Sequence, residues 1–439
     1  MDDVNRNILG KILLLIVWAS FYFSINLNPS DFFELGIISQ LRLSLPLGLV
    51  ILLLLLKKRE FKLLSLNNYY VFLFYSIFFL YSFFTILNKS NDPVNIYWPL
   101  YMFLSFFIFQ NFTNLNEKKL LLKISIIIIS LVFIFFVFFG IKKVLMSSGP
   151  MHFYGISGWV EYVDVENPPR SSGLARYALI IFSFIMSYYL INNKIKNYFL
   201  LTLLSVSGIF ALIFQSRTIS FIYFAFMAFV AILYFKKFFK DKRLIIFSFI
   251  IPFILNICYN YYLLNTAEKY KKNIDKEYID KEYKINLAIK NTLLRKSDLY
   301  SMTYDGFSSN RFDNWEKAIQ IIKKNYFLGY GAQADRLLIN QSIHNSFLYA
   351  TLSSGIIGGI SIILIYLYSI LILIKFYFSN AVKNKNDSIA HYSAFVLVIV
   401  SLRSILETSF AVFSIDYLIY ISAFLYLVNL VEKKHSNTS

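Results

Sequence analysis

A few residues in this sequence are of types that could do chemistry. His344 is followed by Asn345 and opens a long apolar run. An imidazole titrates near neutral pH and can take a proton from a hydroxyl, although a lone histidine is a weak signal. Arg217 lies in Gln215-Ser216-Arg217-Thr218, between two apolar runs and with no acid near it in sequence. Two readings stand for it. Its stem can lie along apolar surface with the head in water, or it can form an anion site, since a guanidinium matches diphosphate oxygens. Arg170 and Arg176, in Pro168-Pro169-Arg170-Ser171-Ser172-Gly173-Leu174-Ala175-Arg176, read in the same two ways. There is no HExxH, no Walker loop, no cysteine cluster and no acidic pair at metal spacing. Phosphate chemistry in this chain would therefore fall to arginines rather than to a metal in a familiar motif.

The elements that must position these residues are membrane spans. Of 439 residues, 57% are hydrophobic, 19% aromatic and 15% charged. A soluble domain averages about 45–50% apolar and about 25% charged, so a soluble or disordered chain is excluded. Apolar residues come in runs of about 20, the length of a helix across about 30 Å of hydrocarbon. The expected class is an all-α polytopic membrane protein. The net charge of +18 then speaks of topology and not of nucleic acid. The single cysteine, Cys258, allows no internal disulfide. The first apolar run has no small-residue cleavage site after it and is expected to be retained as a span.

Twelve spans are expected: 8–27, 33–56, 67–88, 94–112, 120–145, 174–191, 198–214, 217–235, 244–265, 343–375, 389–411 and 414–431. Lys and Arg gather in 57–62, 117–123, 236–243 and 375–385, and are sparse in the alternate short segments. That bias puts both termini in the cytoplasm. The organisation expected is nine spans over 1–265, a large extracytoplasmic loop over 266–342, and three spans with a cytoplasmic tail over 343–439. The loop holds 77 residues and 14 Lys+Arg, too long to count in the charge rule. Its first half repeats Ile-Asp-Lys-Glu-Tyr at 274–278 and 279–283 and reads as a solvated helix. Its second half reads as an amphipathic helix capped by Asn310, with Phe312, Trp315, Ile319 and Ile322 on one face, which would lie on the membrane or on the bundle top. Segment 146–173 reads as a re-entrant or lid-like stretch. The tenth span is longer than a bilayer requires, so it should project or tilt. Two arginines within spans need partners. Arg403 has Glu407 one turn away, whereas Arg42 has no local acid.

Taken in order, these pieces resemble the O-antigen ligase/polymerase family of membrane glycosyltransferases. The resemblance rests on Gln215-Ser216-Arg217-Thr218, on Asn310-Arg311-Phe312 with Trp315 leading to Gly329-Tyr330-Gly331, and on His344-Asn345 with Gly355 and Gly358. His344 to Gly355 gives an HX10G pattern and Arg170 to Leu174 an RX3L pattern, over roughly residues 170–360. It implies a GT-C-like, inverting, metal-independent enzyme without cofactor, working on undecaprenyl-diphosphate-linked glycans at the outer face of the bacterial cytoplasmic membrane. Arg217 and Arg311 would grip the donor diphosphate, and His344 would activate or position the acceptor hydroxyl. Arg170, Arg176, Trp315 and Asn345 would line the substrate pocket. The partners implied are lipid-linked oligosaccharides as donor and acceptor, membrane lipid and a chain-length regulator, with no nucleic acid. Ser342 stands where ligases often show a further histidine, which favours a polymerase over a ligase. A repeat-unit transporter is the alternative from another class, although no duplication of the two halves is evident.

Overall fold

The computed structural model describes residues 3–26, 36–56, 68–88, 92–146, 171–191, 198–214, 216–261, 311–378 and 387–432. Among these residues every regular element is helical. In chain order they are α1 (Asp3–Asn26), α2 (Gly36–Leu56), α3 (Tyr69–Leu87), α4 (Tyr97–Asn111), α5 (Leu115–Met146), α6 (Ser171–Ile191), α7 (Tyr198–Ile213), α8 (Arg217–Leu233), α9 (Phe235–Lys240), α10 (Lys242–Tyr261), α11 (Arg311–Lys324), α12 (Ala334–Ile339), α13 (Ser346–Phe378), α14 (Ser388–Leu406) and α15 (Ile415–Glu432). Each of the twelve expected spans overlaps one of these helices. Eight helices, α1, α3, α5, α6, α10, α13, α14 and α15, are long and apolar enough to cross a membrane. The protein is thus an all-α polytopic membrane protein. Of the other four, α4, α7 and α8 are shorter, and for these and α2 crossing rests on the hydropathy of the sequence.

The chain packs as two compact units, Met1–Ile128 with Arg311–Ser439, and Ile129–Asn310. In the first, α14 and α15 form the core and are buried along nearly all their length. Aromatic stacking knits this core together, with Phe410 and Tyr420 ring centroids 4.4 Å apart. Polar tips find backbone acceptors: Tyr417 donates to the Met102 carbonyl at 2.7 Å and Tyr81 to that of Ala411 at 3.1 Å. Arg403, buried on α14, ion-pairs with Asp416 at the start of α15, and Ser409 Oγ donates to the same carboxylate at 3.1 Å. A buried guanidinium is tolerable only with such a partner. Its ion pair is with Asp416, while the charge of Arg403 also acts on Glu407, the partner expected from sequence.

In the second unit, Pro252 lies inside α10 just beyond a π turn at Ile246–Ile250. A proline cannot donate to the carbonyl four residues back. That carbonyl, of Ser248, accepts instead from the Tyr223 hydroxyl. At the foot of α6, Tyr189 donates to Asp241 at 2.5 Å and Lys237 donates to the Leu190 carbonyl.

Candidate active site

The site is built where α13 begins. α13 has 33 residues and breaks at Gly355, whose φ of 70° and ψ of −175° are not helical. A break leaves backbone groups unmatched, which is costly in a membrane. Residues 326–331 supply the missing partners. Tyr330 N donates to Leu352 O at 2.9 Å, Gly331 N to Ser353 O at 2.9 Å, and Ile356 N to Tyr326 O at 2.9 Å. This extended segment is grafted onto the helix in place of the helix's own bonds. The approach requires glycine on both sides. A Cβ at Gly329 would lie 2.2 Å from Ser353 O, and one at Gly355 would lie 2.3 Å from Phe327 O. The Gly329-Tyr330-Gly331 break and the glycine of the HX10G pattern therefore meet in one backbone contact. Thr85, near the end of α3, fixes the other edge by accepting from Ala332 N at 2.9 Å.

The graft brings α11 and α12 against the head of α13. α11 buries Asn314, Ala318 and Ile322, and the core around them includes Ala334, Ile343 and Leu352, with Trp315 packed alongside. Of the expected apolar face, Trp315 and Ile322 pack here, while Phe312 and Ile319 are exposed. Polar partners set the rotation. Asn314 Nδ2 donates to Gln341 Oε1 at 2.9 Å, and Trp315 Nε1 donates to Ile343 O at 2.7 Å. On the other side of Ile343, its N–H reaches Asp335 Oδ2 at 3.3 Å. Burial pushes the Asp335 carboxyl above its ordinary value, against the pull of the bonds from Ile343 and Arg336.

With Ile343 pinned, the backbone turns sharply. His344 has φ of 52°, in the left-handed region that costs a non-glycine residue about 1–2 kcal/mol. Its N–H faces Ser342 Oγ at 3.4 Å. Asn345 locks the far side. Its Oδ1 accepts from Phe347 N at 3.0 Å and Leu348 N at 2.9 Å, capping α13, while its Nδ2 donates to Ile405 O at 3.0 Å. Ser346 Oγ donates to Glu407 O at 2.9 Å. The Asn345 amide is thus taken up within the protein at both ends.

This geometry aims the His344 ring at Glu407, the first residue beyond α14. His344 Nδ1 lies 2.7 Å from Glu407 Oε2, and Arg311 Nη2 lies 2.9 Å from Oε1. Burial alone would push the Glu407 carboxyl up. The hydrogen bond from His344 and the charges of Arg403 and Arg311 outweigh burial and hold the carboxyl down at about 2. The side chains of His344, Arg311 and Glu407 are 33%, 22% and 17% exposed, so the cluster is sheltered yet reachable. A cation, a base and a carboxylate that holds both are the parts of a proton-transfer site beside an anion.

Of the residues singled out in the sequence, the structure brings together His344, Arg311, Trp315 and Asn345, all in the first unit. Arg217 and Arg176 belong to the second. Arg217 is exposed at the first position of α8, which Ser216 caps, and the Arg176 guanidinium lies 5.2 Å from the Tyr177 ring centre. Arg170, segment 147–170, the repeat at 274–283 and Asn310 fall outside the described residues, as does the side chain of Arg42. Sequence reasoning missed Glu407. It is 63 residues from His344, and its nearest basic residue in sequence, Arg403, drew it into another pairing.

Residues 170–363 match the family model described as O-antigen ligase. Among curated proteins, none matches the chain.

Proposed function

We propose that this chain, whose residues 170–363 match the O-antigen ligase family model, is a surface-polysaccharide polymerase of the O-antigen ligase/polymerase family. It joins undecaprenyl-diphosphate-linked repeat units by inverting, metal-independent glycosyl transfer. It does so at the outer face of the bacterial cytoplasmic membrane, with both termini in the cytoplasm and in company with a chain-length regulator. The observation that carries the reading is the cluster of His344, Glu407 and Arg311 at the head of α13.

The steps balance without a cofactor. An acceptor sugar hydroxyl attacks the anomeric carbon of the donor. The bond from that carbon to the diphosphate oxygen breaks, and its electron pair leaves with undecaprenyl diphosphate. The hydroxyl proton passes to His344. Negative charge grows on the leaving oxygen, where a guanidinium already in place stabilises it. Arg311 takes this role. Arg217 takes it on the strength of its motif, and a cation in the first turn of α8, opposed by the helix dipole, suits an anionic ligand. Trp315 and Asn345 serve the pocket through the backbone they fix around His344; Arg170 and Arg176 serve it as further cations. Ser342, where ligases often carry histidine, supports polymerase over ligase.

The test is to delete the gene and compare the surface glycan with the undecaprenyl-linked glycan on gels. Single repeats on the final anchor, without a ladder, are the expected outcome. Long polymer stranded on undecaprenyl diphosphate would mean a ligase. Single repeats held on the cytoplasmic leaflet would mean a transporter.

A further inference from the structure

We propose that Glu407 is the positioning residue of this site, setting the tautomer of His344 and anchoring Arg311 with the same carboxylate. The inference rests on the transferase reading above and concerns a residue that lies outside the matched segment, which ends at 363.

Each Glu407 oxygen has its own partner: Oε2 faces His344 Nδ1 at 2.7 Å and Oε1 faces Arg311 Nη2 at 2.9 Å. A carboxylate can only accept, so Nδ1 must carry the proton. The lone pair of the imidazole then resides on Nε2, the atom that must take the proton from the acceptor hydroxyl. Glu407 is itself held in place. It is the first residue beyond α14, its backbone carbonyl accepts from Ser346 Oγ at 2.9 Å, and Ile405 two residues earlier is tied to Asn345 at 3.0 Å. Both ends of the contact are therefore fixed to the same pair of helix termini. Arg403, Arg311 and His344 are the charged and titratable groups whose interactions bear on Glu407, so the carboxylate stays ionised while the imidazole works.

This arrangement makes an unusual demand of the Glu407→Gln variant, which is nearly isosteric. Arg311 can only donate, so the single amide oxygen must turn to it. The amide NH2 then faces Nδ1 and donates to it, which moves the histidine proton to Nε2 and removes the base. A histidine held in the wrong tautomer costs about 10⁴ in kcat in a serine-protease triad. A merely structural ion pair would rank the variants differently, with Gln tolerated best.

The experiment measures transfer by purified full-length protein, using lipid-linked repeat units extracted from the deletion strain. Wild type is compared with E407Q, E407D, H344A and H344A/E407Q. The expected result is a fall in kcat of about 10³–10⁴ for E407Q with KM within a few-fold of wild type, and partial activity for E407D. In the H344A background E407Q should cost little further, because the amide oxygen still accepts from Arg311 and there is no longer a tautomer to set. E407Q within threefold of wild type, or losses that multiply in the double variant, would overturn the role of Glu407. Should E407Q fail to accumulate as folded protein, E407D decides: activity no better than H344A would overturn the proposal. A fully active H344A would instead sink the transferase assignment of His344 itself, whatever E407Q does.

Discussion

Gly355 and Phe327 are in backbone-to-backbone contact: a Cβ at Gly355 would sit 2.3 Å from the Phe327 carbonyl oxygen. Gly355 also has φ of 70° and ψ of −175°, a region of backbone space open essentially to glycine alone. G355A should therefore lower stability by about 1–3 kcal/mol from backbone strain alone, with more from the clash. The variant should lose thermal stability in detergent and transferase activity together. A fully stable but inactive G355A would mean that the glycine serves the substrate and not the fold.

Thr85 holds the outer edge of the graft. Its Oγ1 accepts from Ala332 N at 2.9 Å and donates to Tyr81 O at 2.6 Å. T85V keeps the shape and removes the acceptor. Loss of a buried bond of this kind costs about 1–3 kcal/mol, to be read as a lower melting temperature with the fold otherwise intact.

His344 pays a conformational cost that glycine would not, since its φ is 52°. H344G and H344A should both be inactive, but H344G should be the more stable of the two by about 1 kcal/mol, as expected for a left-handed position. Equal melting temperatures would show that the turn relaxes once the imidazole is gone.

The depressed Glu407 carboxyl makes a prediction for acid. Its value of about 2 lies below the ordinary 4.5. A group depressed on folding stabilises the protein fully above its unfolded value and loses that contribution as pH falls through its folded value. The stability gap between wild type and E407Q should thus hold from pH 7 down to about 4.5 and close towards pH 2, by a total on the order of 3 kcal/mol. Intrinsic-fluorescence melts across that range check it, and a gap that stays constant to pH 2 would contradict the assignment.

Arg311 presents a planar fork where lysine would present a point charge. R311K should still pair with Glu407, so protein level and melting temperature should change little. Transfer should nonetheless fall at least about tenfold, since a lysine does not match a diphosphate bidentately. The KM for the lipid-linked donor is the quantity to follow.

Much of the scaffold was legible in the sequence because hydropathy acts over whole spans, and every expected span overlaps a helix. His344, Arg311 and the glycine breaks were legible as spacing. What pairs with what was not. The Arg403–Glu407 pairing assumed that both residues share a helix face, yet α14 ends at Leu406 and Glu407 is extended, with φ of −149° and ψ of 161°. Its side chain thereby leaves the face on which the i,i+4 rule operates. Which part of the apolar face of α11 packs inward was not legible either. Hydrophobicity favoured Phe312 and Ile319, whereas the hydrogen bonds of Asn314 and Trp315 set the rotation. Such partners come from distant segments, and periodicity carries no information about them.

The graft of residues 326–331 onto α13 also bears on how the protein is made. Translation delivers the loop before the helix whose ladder it completes. While α13 is being threaded into the bilayer, the N–H of Ile356 and the carbonyls of Leu352 and Ser353 have no helical partner. Those groups are satisfied only when the earlier segment folds back onto the newly inserted span. The same closure carries α11, and with it Arg311, to the turn that holds His344. Closure of the graft onto α13 and assembly of the His344–Glu407–Arg311 cluster thus fall in one step of folding.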